Sequence, residues 1–409
     1  MLSRAADGPD GPLTFIPGAY RERFLLPSDM VYLDGNSLGP LSHSARDAVA
    51  DLASRQWGES LISSWNEHGW MEAPRRIGAK IAPLIGAQAD EVVVCDSTSV
   101  NIFKLAAAAL LARPGRTTVL SEPGNFPTDL YMIEGLKRLR PDLDLKLVPR
   151  DEIAAALDED TALLLLTHVH YKTGEMFDMG VLTAATHKAG ALTLWDLSHS
   201  VGAVPVSLNR TQADLAVGCG YKYLNGGPGA PAFLYVANRH QQGLTSPLSG
   251  WLGHESPFAF DDAYRPAEDI GRWRAGTPPM LSLAALEAGV GQFEGVDMQD
   301  LWDASQKLSQ RFVERVTGQC AEVELISPSA PDARGCHVSF RFHSAYEVVQ
   351  ALIAEGIVGD FRAPDAMRFG FTPLYLSLEE VERAADRLVD ILATGRWRQP
   401  EFAVRKGVT

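Results

Sequence analysis

Short apolar runs alternate with helical segments between about residues 91 and 236. Segments with helical periodicity, such as residues 100–112 and the stretch that starts at Pro127, separate these runs. Strands that alternate with helices are typical of a parallel sheet covered on both faces. The pattern predicts one large α/β domain with a mostly parallel seven-stranded sheet, whose strands are EVVVC, TTVLS, DLKLV, ALLLLTHV, ALTLWD, ADLAVG and AFLYV.

The pattern changes near Val296, where a long amphipathic helix, MQDLWDASQKLSQRFVERV, begins. Strand-like EVELI, CHVSFRF and MRFGF follow, with a helix near residues 345–354 and a last helix that Ser377 and Glu380 can cap reciprocally. This order predicts a smaller α+β domain. We therefore expect an N-terminal segment (1–57), a large domain (58–295) and a small domain (296–409).

Two further stretches carry structural expectations. A helix over residues 45–57 can be capped by Ser42 or Ser44. The stretch over residues 254–279 is rich in proline, glycine and aromatic residues, and we expect long loops there that bridge the two lobes.

Composition and charge exclude several classes of protein. The chain has 409 residues, 46% of them hydrophobic, and a net charge of −14, which disfavours a nucleic-acid partner. No apolar run approaches the roughly 20 residues that cross a bilayer, so no membrane partner is expected. The first 15 residues lack the apolar core of a signal peptide. We predict a cytoplasmic protein with reduced, mostly buried thiols at Cys95, Cys219, Cys320 and Cys336.

The stretch GNSLG has the G-x-S-x-G spacing of a hydrolase nucleophile elbow, centred on Ser37. An elbow needs a strand before the serine and a helix directly after it. Pro40 disfavours helical geometry at Gly39, and only weakly patterned chain precedes Ser37. A turn is therefore the better interpretation of this stretch.

Residues that could bind a ligand or react are expected directly after the predicted strands, because ligands of open α/β sheets bind outside the carboxyl ends of the strands. After EVVVC, the hydroxyls of Ser97, Thr98 and Ser99 open a helix and suit either a phosphate or simple capping. Asp196 ends ALTLWD and needs a cationic or hydrogen-bonding partner. Lys222 follows another strand end, 26 residues after Asp196.

Together these groups fit pyridoxal phosphate. The amine of Lys222 can condense with the aldehyde, Asp196 can keep the ring nitrogen protonated, and the phosphate can dock at a helix N-terminus. The ring of Phe126 could stack on the pyridine. Two competing hypotheses are a metal-dependent hydrolase, using His168, His170, Asp196 and His199, and a nicotinamide dehydrogenase, which the absence of G-x-G-x-x-G after any strand disfavours.

Seven motifs, in order from Tyr32 to Tyr375, resemble those of the kynureninase family: YLDGNSLGP, NFPTDLYM, LWDLSHSVGAVP, GYKYLNGGPGAPAF, GWLGH, GTPP and MRFGFTPLY. The resemblance covers nearly the whole chain. It implies the aspartate aminotransferase-like fold of type I pyridoxal-phosphate enzymes. It also implies a homodimer with the active site at the subunit interface.

The resemblance also implies roles for individual residues. Lys222 is the cofactor lysine, Asp196 the partner of the ring nitrogen and Phe126 the stacking ring. Arg368 binds the substrate α-carboxylate, for which a guanidinium fork is suited, and Asn36 lies near that site. The other implied cofactor contacts are Asp129, His199, Thr98, Ser99, Thr167 and Tyr221, with Trp251 and Thr277 of the partner subunit.

The activity implied by the resemblance is hydrolytic Cβ–Cγ cleavage of L-kynurenine to anthranilate and L-alanine, with no metal ion. Tyr221 would assist as acid or base. Animal-type members tend to have Asn where this chain has Thr277, which makes it similar to the bacterial type that favours L-kynurenine over the 3-hydroxy form. Within the same fold, a cysteine desulfurase or a transaminase is the alternative. A desulfurase would need a mobile thiol, for which Cys320 and Cys336 are the C-terminal candidates.

Overall fold

The computed structural model describes residues 14–405 and residue 407. The chain forms two compact units. The larger contains Ser37–Tyr171 and Met176–Glu294, and the smaller contains the described residues up to Asn36, Lys172–Glu175 and those from Gly295 onward. Residues 37–57 thus group with the larger unit. The outer ends of the predicted domains 1–57 and 296–409 lie outside the described residues, and that division stays a prediction.

Strands and helices alternate through the larger unit and are mixed in the smaller one. The strands in the described chain are β1 (Val31–Tyr32), β2 (Val92–Val94), β3 (Thr118–Ser121), β4 (Asp144–Leu147), β5 (Thr161–Thr167), β6 (Leu192–Asp196), β7 (Leu215–Gly218), β8 (Phe233–Val236), β9 (Glu324–Leu325), β10 (His337–Arg341), β11 (Ile357–Val358), β12 (Asp360–Arg362) and β13 (Ala366–Gly370). The α-helices there are α1 (His43–Asp51), α2 (Gly58–Ser60), α3 (Ser64–Glu67), α4 (Ala73–Ile81), α5 (Thr98–Leu111), α6 (Pro127–Lys137), α7 (Ile153–Ala156), α8 (Met179–Lys188), α9 (Asn238–Gln241), α10 (Met280–Val290), α11 (Met298–Thr317), α12 (Ala345–Ala354) and α13 (Leu378–Thr394).

The larger unit is built on a seven-stranded sheet with the order β2-β8-β7-β6-β5-β3-β4. Strand β8 runs antiparallel to both of its neighbours, and the other pairs are parallel. All seven predicted strands are present, so the mostly parallel sheet is confirmed. Every residue of β5 and β6 is buried, as expected for strands covered on both faces.

The smaller unit contains a four-stranded antiparallel sheet, β12-β13-β10-β9, and a separate parallel pair, β1 with β11. The predicted α+β character is confirmed. The capping box of α13 is present: Glu380 N donates to Ser377 Oγ at 3.2 Å, and Ser377 N donates to Glu380 Oε2 at 2.9 Å. Strands β11 and β12 were not predicted from the sequence.

Other local predictions differ from the structure in detail. Ser42 caps α1, which ends at Asp51 and continues as a wider π-helical segment, Leu52–Trp57. The stretch over residues 254–279 lies wholly in the larger unit and leads into α10 of that unit, so the prediction that it bridges the lobes is wrong. Within residues 14–405, no helix is both long enough and apolar enough to cross a membrane.

Candidate active site

The carboxyl ends of three neighbouring strands bring polar residues together in the larger unit. Thr167 ends β5 and Asp196 ends β6, and the two residues are direct partners in the sheet register. Asp196 also pairs with Val217 of β7, and Lys222 follows the end of β7 by four residues. Lys222 and Asp196 are only 8% and 3% exposed, so this edge of the sheet carries a buried amine beside a buried carboxyl.

Lys222 is surrounded by three other predicted site residues. Its Nζ lies 3.2 Å from Nε2 of His199, whose ring is also buried. The same nitrogen is 5.8 Å from the ring centroids of both Phe126 and Tyr221. Residues from three separate segments of the sequence therefore converge on one amine.

A second buried carboxyl, that of Asp129, lies in the first turn of α6. Thr167 Oγ1 lies 3.2 Å from Asp129 Oδ2 and 2.5 Å from Asn125 Oδ1. Burial, and next the charge of Asp196, raise the pKa of Asp129 well above its ordinary value. The hydrogen bond from Thr167 and the charge of Lys222 oppose this rise.

The pKa of Asp196 is also subject to opposing effects. Burial raises the pKa of its carboxyl, whereas the hydrogen bond from Ser198 and the charge of Lys222 lower it. Ser198 N donates to Asp196 Oδ1 at 2.7 Å, which fixes the carboxylate. A buried carboxyl held this way gains from a further cationic partner, and a protonated pyridine nitrogen is such a partner. The amine of Lys222, the carboxyl of Asp196 and the ring of Phe126 together thus fit pyridoxal phosphate.

The predicted phosphate-binding residues lie at the N-terminus of α5. Thr98 and Ser99 are the first two residues of this helix, and Ser97 caps it by accepting from Val100 N at 3.4 Å. Ser97, Tyr221 and Thr277 line one cavity of about 480 Å³. Thr98 and Ser99 are not among the residues that line it. The capping end of the helix does reach the cavity, and a helix N-terminus suits an anionic group.

Trp251 does not line this cavity. Its side chain is 44% exposed and stacks against Phe260, with the ring centroids 6.3 Å apart. Its Nε1 donates to Pro257 O at 2.5 Å. The role of Trp251 and Thr277 in a partner subunit stays a prediction.

Two buried residues that support this site were not identified from the sequence. Lys104 is completely buried in α5, and its Nζ donates to Asp96 Oδ2 at 2.6 Å and to Trp273 O at 2.7 Å. Asn125 Oδ1 accepts from Thr167 N at 3.2 Å and from Phe126 N at 2.9 Å. A signal for Lys104 exists in the sequence, since no other charged residue occurs between Asp96 and Arg113.

Arg368 and Asn36 are both buried in the smaller unit, where Arg368 lies on β13. A Cβ added to Gly370 would lie 2.0 Å from Asn36 Oδ1. Since Arg368 and Gly370 are two residues apart on one strand, their side-chain positions share a face of the sheet. Asn36 therefore lies on the same face of β13 as the Arg368 side chain, and its Oδ1 has no hydrogen-bond partner among the described residues.

The histidines of the alternative metal site have separate hydrogen-bond partners. Strand β5 ends at Thr167, so His168 and His170 do not lie on one face of a strand as expected. His168 Nδ1 lies 2.9 Å from Ser200 Oγ, and His170 Nε2 lies 2.9 Å from Gly124 O. Burial lowers the pKa of His168 to about 4. Over the part of the chain that the structure describes, no three His, Cys, Asp or Glu residues are arranged to hold a metal ion.

The four cysteines are free thiols, and burial raises the pKa of each. Cys336, beside the first residue of β10, is 1% exposed and has a pKa raised to about 12. Cys320 is 3% exposed. Neither C-terminal candidate is the mobile, reactive thiol that a cysteine desulfurase needs.

Comparison with solved structures identifies the fold. A cysteine desulfurase from Thermococcus onnurineus NA1 aligns with a TM-score of 0.78 at 22% identity, covering 93% of this chain and 98% of that structure. A C-DES mutant with glycine covalently linked to its PLP cofactor aligns with a TM-score of 0.77 at 16% identity, covering 90% of this chain and 99% of that one. At these identities the likeness shows the fold alone, and it is the predicted type I fold.

Comparison of sequences identifies the family. The family model described as the kynureninase C-terminal domain matches residues 301–388. A kynureninase from Burkholderia mallei is 48% identical over 417 aligned positions, which cover 100% of this chain and 98% of the relative. The whole chain, including both units, therefore belongs to the kynureninase family.

Proposed function

We propose that the protein is a kynureninase that uses pyridoxal phosphate to hydrolyse the Cβ–Cγ bond of L-kynurenine, giving anthranilate and L-alanine. One observation carries the proposal: a full-length match to a kynureninase at 48% identity, in a chain whose buried Lys222 lies against His199 and near Phe126. The raised thiol pKa values of Cys320 and Cys336 disfavour the desulfurase alternative.

The residues of the larger unit would hold the cofactor. In this proposal Lys222 binds the cofactor covalently through Nζ, and Asp196 keeps the ring nitrogen protonated. The side chain of Phe126 would pack against the ring, and the N-terminus of α5, with Thr98 and Ser99, would receive the phosphate. Thr167, Asp129, His199 and Tyr221 complete the cofactor contacts. Bound pyridoxal phosphate supplies an electron sink that stabilises negative charge at the substrate Cα.

Proton transfers are assigned to two residues. Lys222 would remove the proton from the substrate Cα. Tyr221 exchanges a proton with the γ-carbonyl oxygen as water adds to that carbon. The Cβ–Cγ bond would then break and anthranilate would leave. Cβ would take up a proton, and Lys222 would return a proton to Cα, which gives L-alanine.

Binding of the substrate α-carboxylate is assigned to Arg368, with Asn36 beside it. A planar guanidinium can donate two parallel hydrogen bonds to a carboxylate. Thr277 supports a preference for L-kynurenine over 3-hydroxykynurenine. A cytoplasmic location stays a prediction.

We also propose that the protein works as a homodimer whose active sites include Trp251 and Thr277 of the partner subunit. Three aromatic side chains of the larger unit support a contact surface there. Trp251, Phe258 and Phe260 are 44%, 61% and 74% exposed and contact one another, with centroid distances between 5.5 and 6.3 Å. An exposed aromatic cluster of this kind usually marks an interaction site.

Anthranilate release tests the proposed reaction. Purified protein loaded with pyridoxal phosphate should release fluorescent anthranilate from L-kynurenine, and should do so more slowly from 3-hydroxykynurenine. Lys222→Ala should lose at least 10³-fold in kcat, on the order of the loss found when a catalytic group is removed. It should also lose the cofactor absorbance that survives borohydride reduction and denaturation in the wild type.

Lys80→Ala is a matched control, because Lys80 is 48% exposed and pairs with Glu287 on the surface. It should keep both the activity and the covalent cofactor. A Lys222→Ala protein that still held the cofactor covalently would refute the assignment of Lys222 as the cofactor-binding lysine. A wild-type protein that bound the cofactor but released no anthranilate would refute the proposed reaction.

A further inference from the structure

Arg368 lies opposite a carboxylate that no sequence motif indicated. Asp360 of β12 is the direct register partner of Arg368 on the neighbouring strand β13. Arg368 Nε donates to Asp360 Oδ1 at 2.9 Å, and Arg368 Nη2 donates to Asp360 Oδ2. The two side chains are 1% and 2% exposed, so the ion pair is almost fully buried.

This two-point contact fixes the plane and the direction of the guanidinium. A guanidinium presents its five N–H groups along rigid edges. Asp360 occupies the edge formed by Nε and Nη2, so the edge formed by Nη1 and Nη2 points away from Asp360. That second edge has the geometry to donate two parallel hydrogen bonds to another carboxylate.

The ion pair of Arg368 and Asp360 belongs to a group of three charged side chains. Arg362 Nη2 also lies 2.7 Å from Asp360 Oδ2, so two guanidiniums share one carboxylate. The group of three therefore carries a net positive charge. Asn36 adds a buried polar group on the same face of β13. Asn36 Nδ2 also lies 3.5 Å from Oδ1 of a further carboxylate, that of Asp34. The attraction for an incoming carboxylate therefore comes from the oriented edge of Arg368 rather than from the charge of the whole region.

We propose that Asp360 is a positioning residue for substrate binding: it holds the Arg368 guanidinium so that the Nη1 and Nη2 edge receives the substrate α-carboxylate. This inference rests on the proposed function, in which Arg368 binds that group. Asp360 itself touches Arg368 and Arg362 rather than the substrate. Its contribution is specific to substrates and inhibitors that carry a carboxylate beside the reacting amine.

Asp360→Asn tests this role with little change in side-chain volume. The amide offers one acceptor in place of two and directs an NH₂ group at the guanidinium, so Arg368 loses its fixed orientation. We expect KM for L-kynurenine to rise at least 10-fold while kcat changes less than 3-fold. The absorbance of the bound cofactor should be unchanged. Asp360→Glu, which keeps the charge but displaces it, should raise KM by a smaller factor.

Kynurenamine is kynurenine without its α-carboxylate. Its affinity distinguishes a specific loss of carboxylate binding from a general loss of structure, because only the latter would weaken kynurenamine binding. Its dissociation constant, measured by spectral titration of the holoenzyme, should be within about 2-fold of the wild-type value in both variants. Asp365→Asn is the control, since Asp365 lies in the segment between β12 and β13 and contacts the exposed Arg341 at 3.4 Å. It should leave the KM for L-kynurenine and the kynurenamine affinity unchanged.

Several results would overturn the inference. An unchanged KM in both Asp360 variants would do so, and so would an equal loss of affinity for kynurenine and kynurenamine. If Asp360→Asn does not fold, Asp360→Glu decides by the same two criteria. Failure of the wild type to release anthranilate would instead overturn the proposed function, so the two failures are distinguishable.

Discussion

Lys104 shows how one buried charge can organise a binding site that it does not enter. Its Nζ links Asp96, which precedes the cap of α5, to the carbonyl of Trp273, four residues before Thr277. The side chain of Lys104 is fully buried, whereas that of Asp96 is 26% exposed. Both linked segments contribute residues to the cavity that Ser97 and Thr277 line. Lys104 therefore holds together two walls of this cavity, and one of those walls carries the N-terminus of α5, where the phosphate is proposed to bind.

Lys104→Met should weaken binding of pyridoxal phosphate at least 10-fold, because loss of the buried ammonium leaves Asp96 and the carbonyl of Trp273 without their shared partner and releases both segments. The affinity for pyridoxal, which lacks the phosphate, should change much less. Fluorescence titration of apoenzyme with each compound measures both values. The control is Lys80→Met, which removes an exposed lysine of similar size. Equal weakening for both compounds would show that the contacts of Lys104 do not contribute to phosphate binding.

At the scale of elements, the turn GNSLG has a packing role rather than a nucleophilic one. Helix α1 begins only at His43, so no helix follows Ser37 directly. Gly39 N donates to Tyr221 O at 2.8 Å, and a Cβ at Gly39 would lie 2.3 Å from Lys222 O. The turn can approach the backbone of Lys222, the proposed cofactor lysine, this closely because position 39 carries no side chain.

Gly39→Ala should therefore displace the loop that carries Tyr221 and Lys222. We expect kcat/KM for L-kynurenine to fall at least 10-fold and the absorbance maximum of the bound cofactor to shift. Ser37→Ala, two residues away, is the matched variant and should keep much of the activity. Loss of turnover in Ser37→Ala with the cofactor still bound would reopen the nucleophile hypothesis.

At the scale of the whole molecule, the proposed active site draws on two copies of the chain. Lys222 and Asp196 are buried within one copy, whereas Trp251 is 44% exposed and Thr277 is also exposed. Exposed residues beside an aromatic cluster can contact the active site of a second copy of the chain, whereas residues buried within one copy cannot. The proposal therefore makes a prediction about mixed dimers.

Inactive Lys222→Ala protein, mixed and reassembled with an inactive Trp251→Ala, Thr277→Ala double variant, should regain activity. Each hybrid dimer has one site with an intact Lys222 from one chain and intact Trp251 and Thr277 from the other. Up to half of the wild-type activity per hybrid is expected. Sedimentation of the mixture confirms the dimer. Absence of any recovery in a verified hybrid would contradict a shared active site.

The elements that the sequence predicted are those whose signals are local. The seven strands of the large sheet are short apolar runs bounded by turns, and the cap of α13 needs only Ser377 and Glu380, three residues apart. Strand β12 was missed because three residues carry no periodicity, and this strand exists through its pairing with β13. The extent of α1 was misjudged for a similar reason, because its last turns widen at Leu52 without a break in the apolar pattern.

The sequence by itself determined the fold class and the chemical groups at the strand ends, since the succession of strands and helices along the chain and the position of a residue after a strand follow from local pattern. It placed Lys222, Asp196 and the N-terminus of α5 on the same edge of a sheet. Only the tertiary structure decided which residues hold these groups in position. Lys104, Asn125 and Asp360 act on partners that lie up to 169 residues away, and such contacts depend on how the chain folds back on itself.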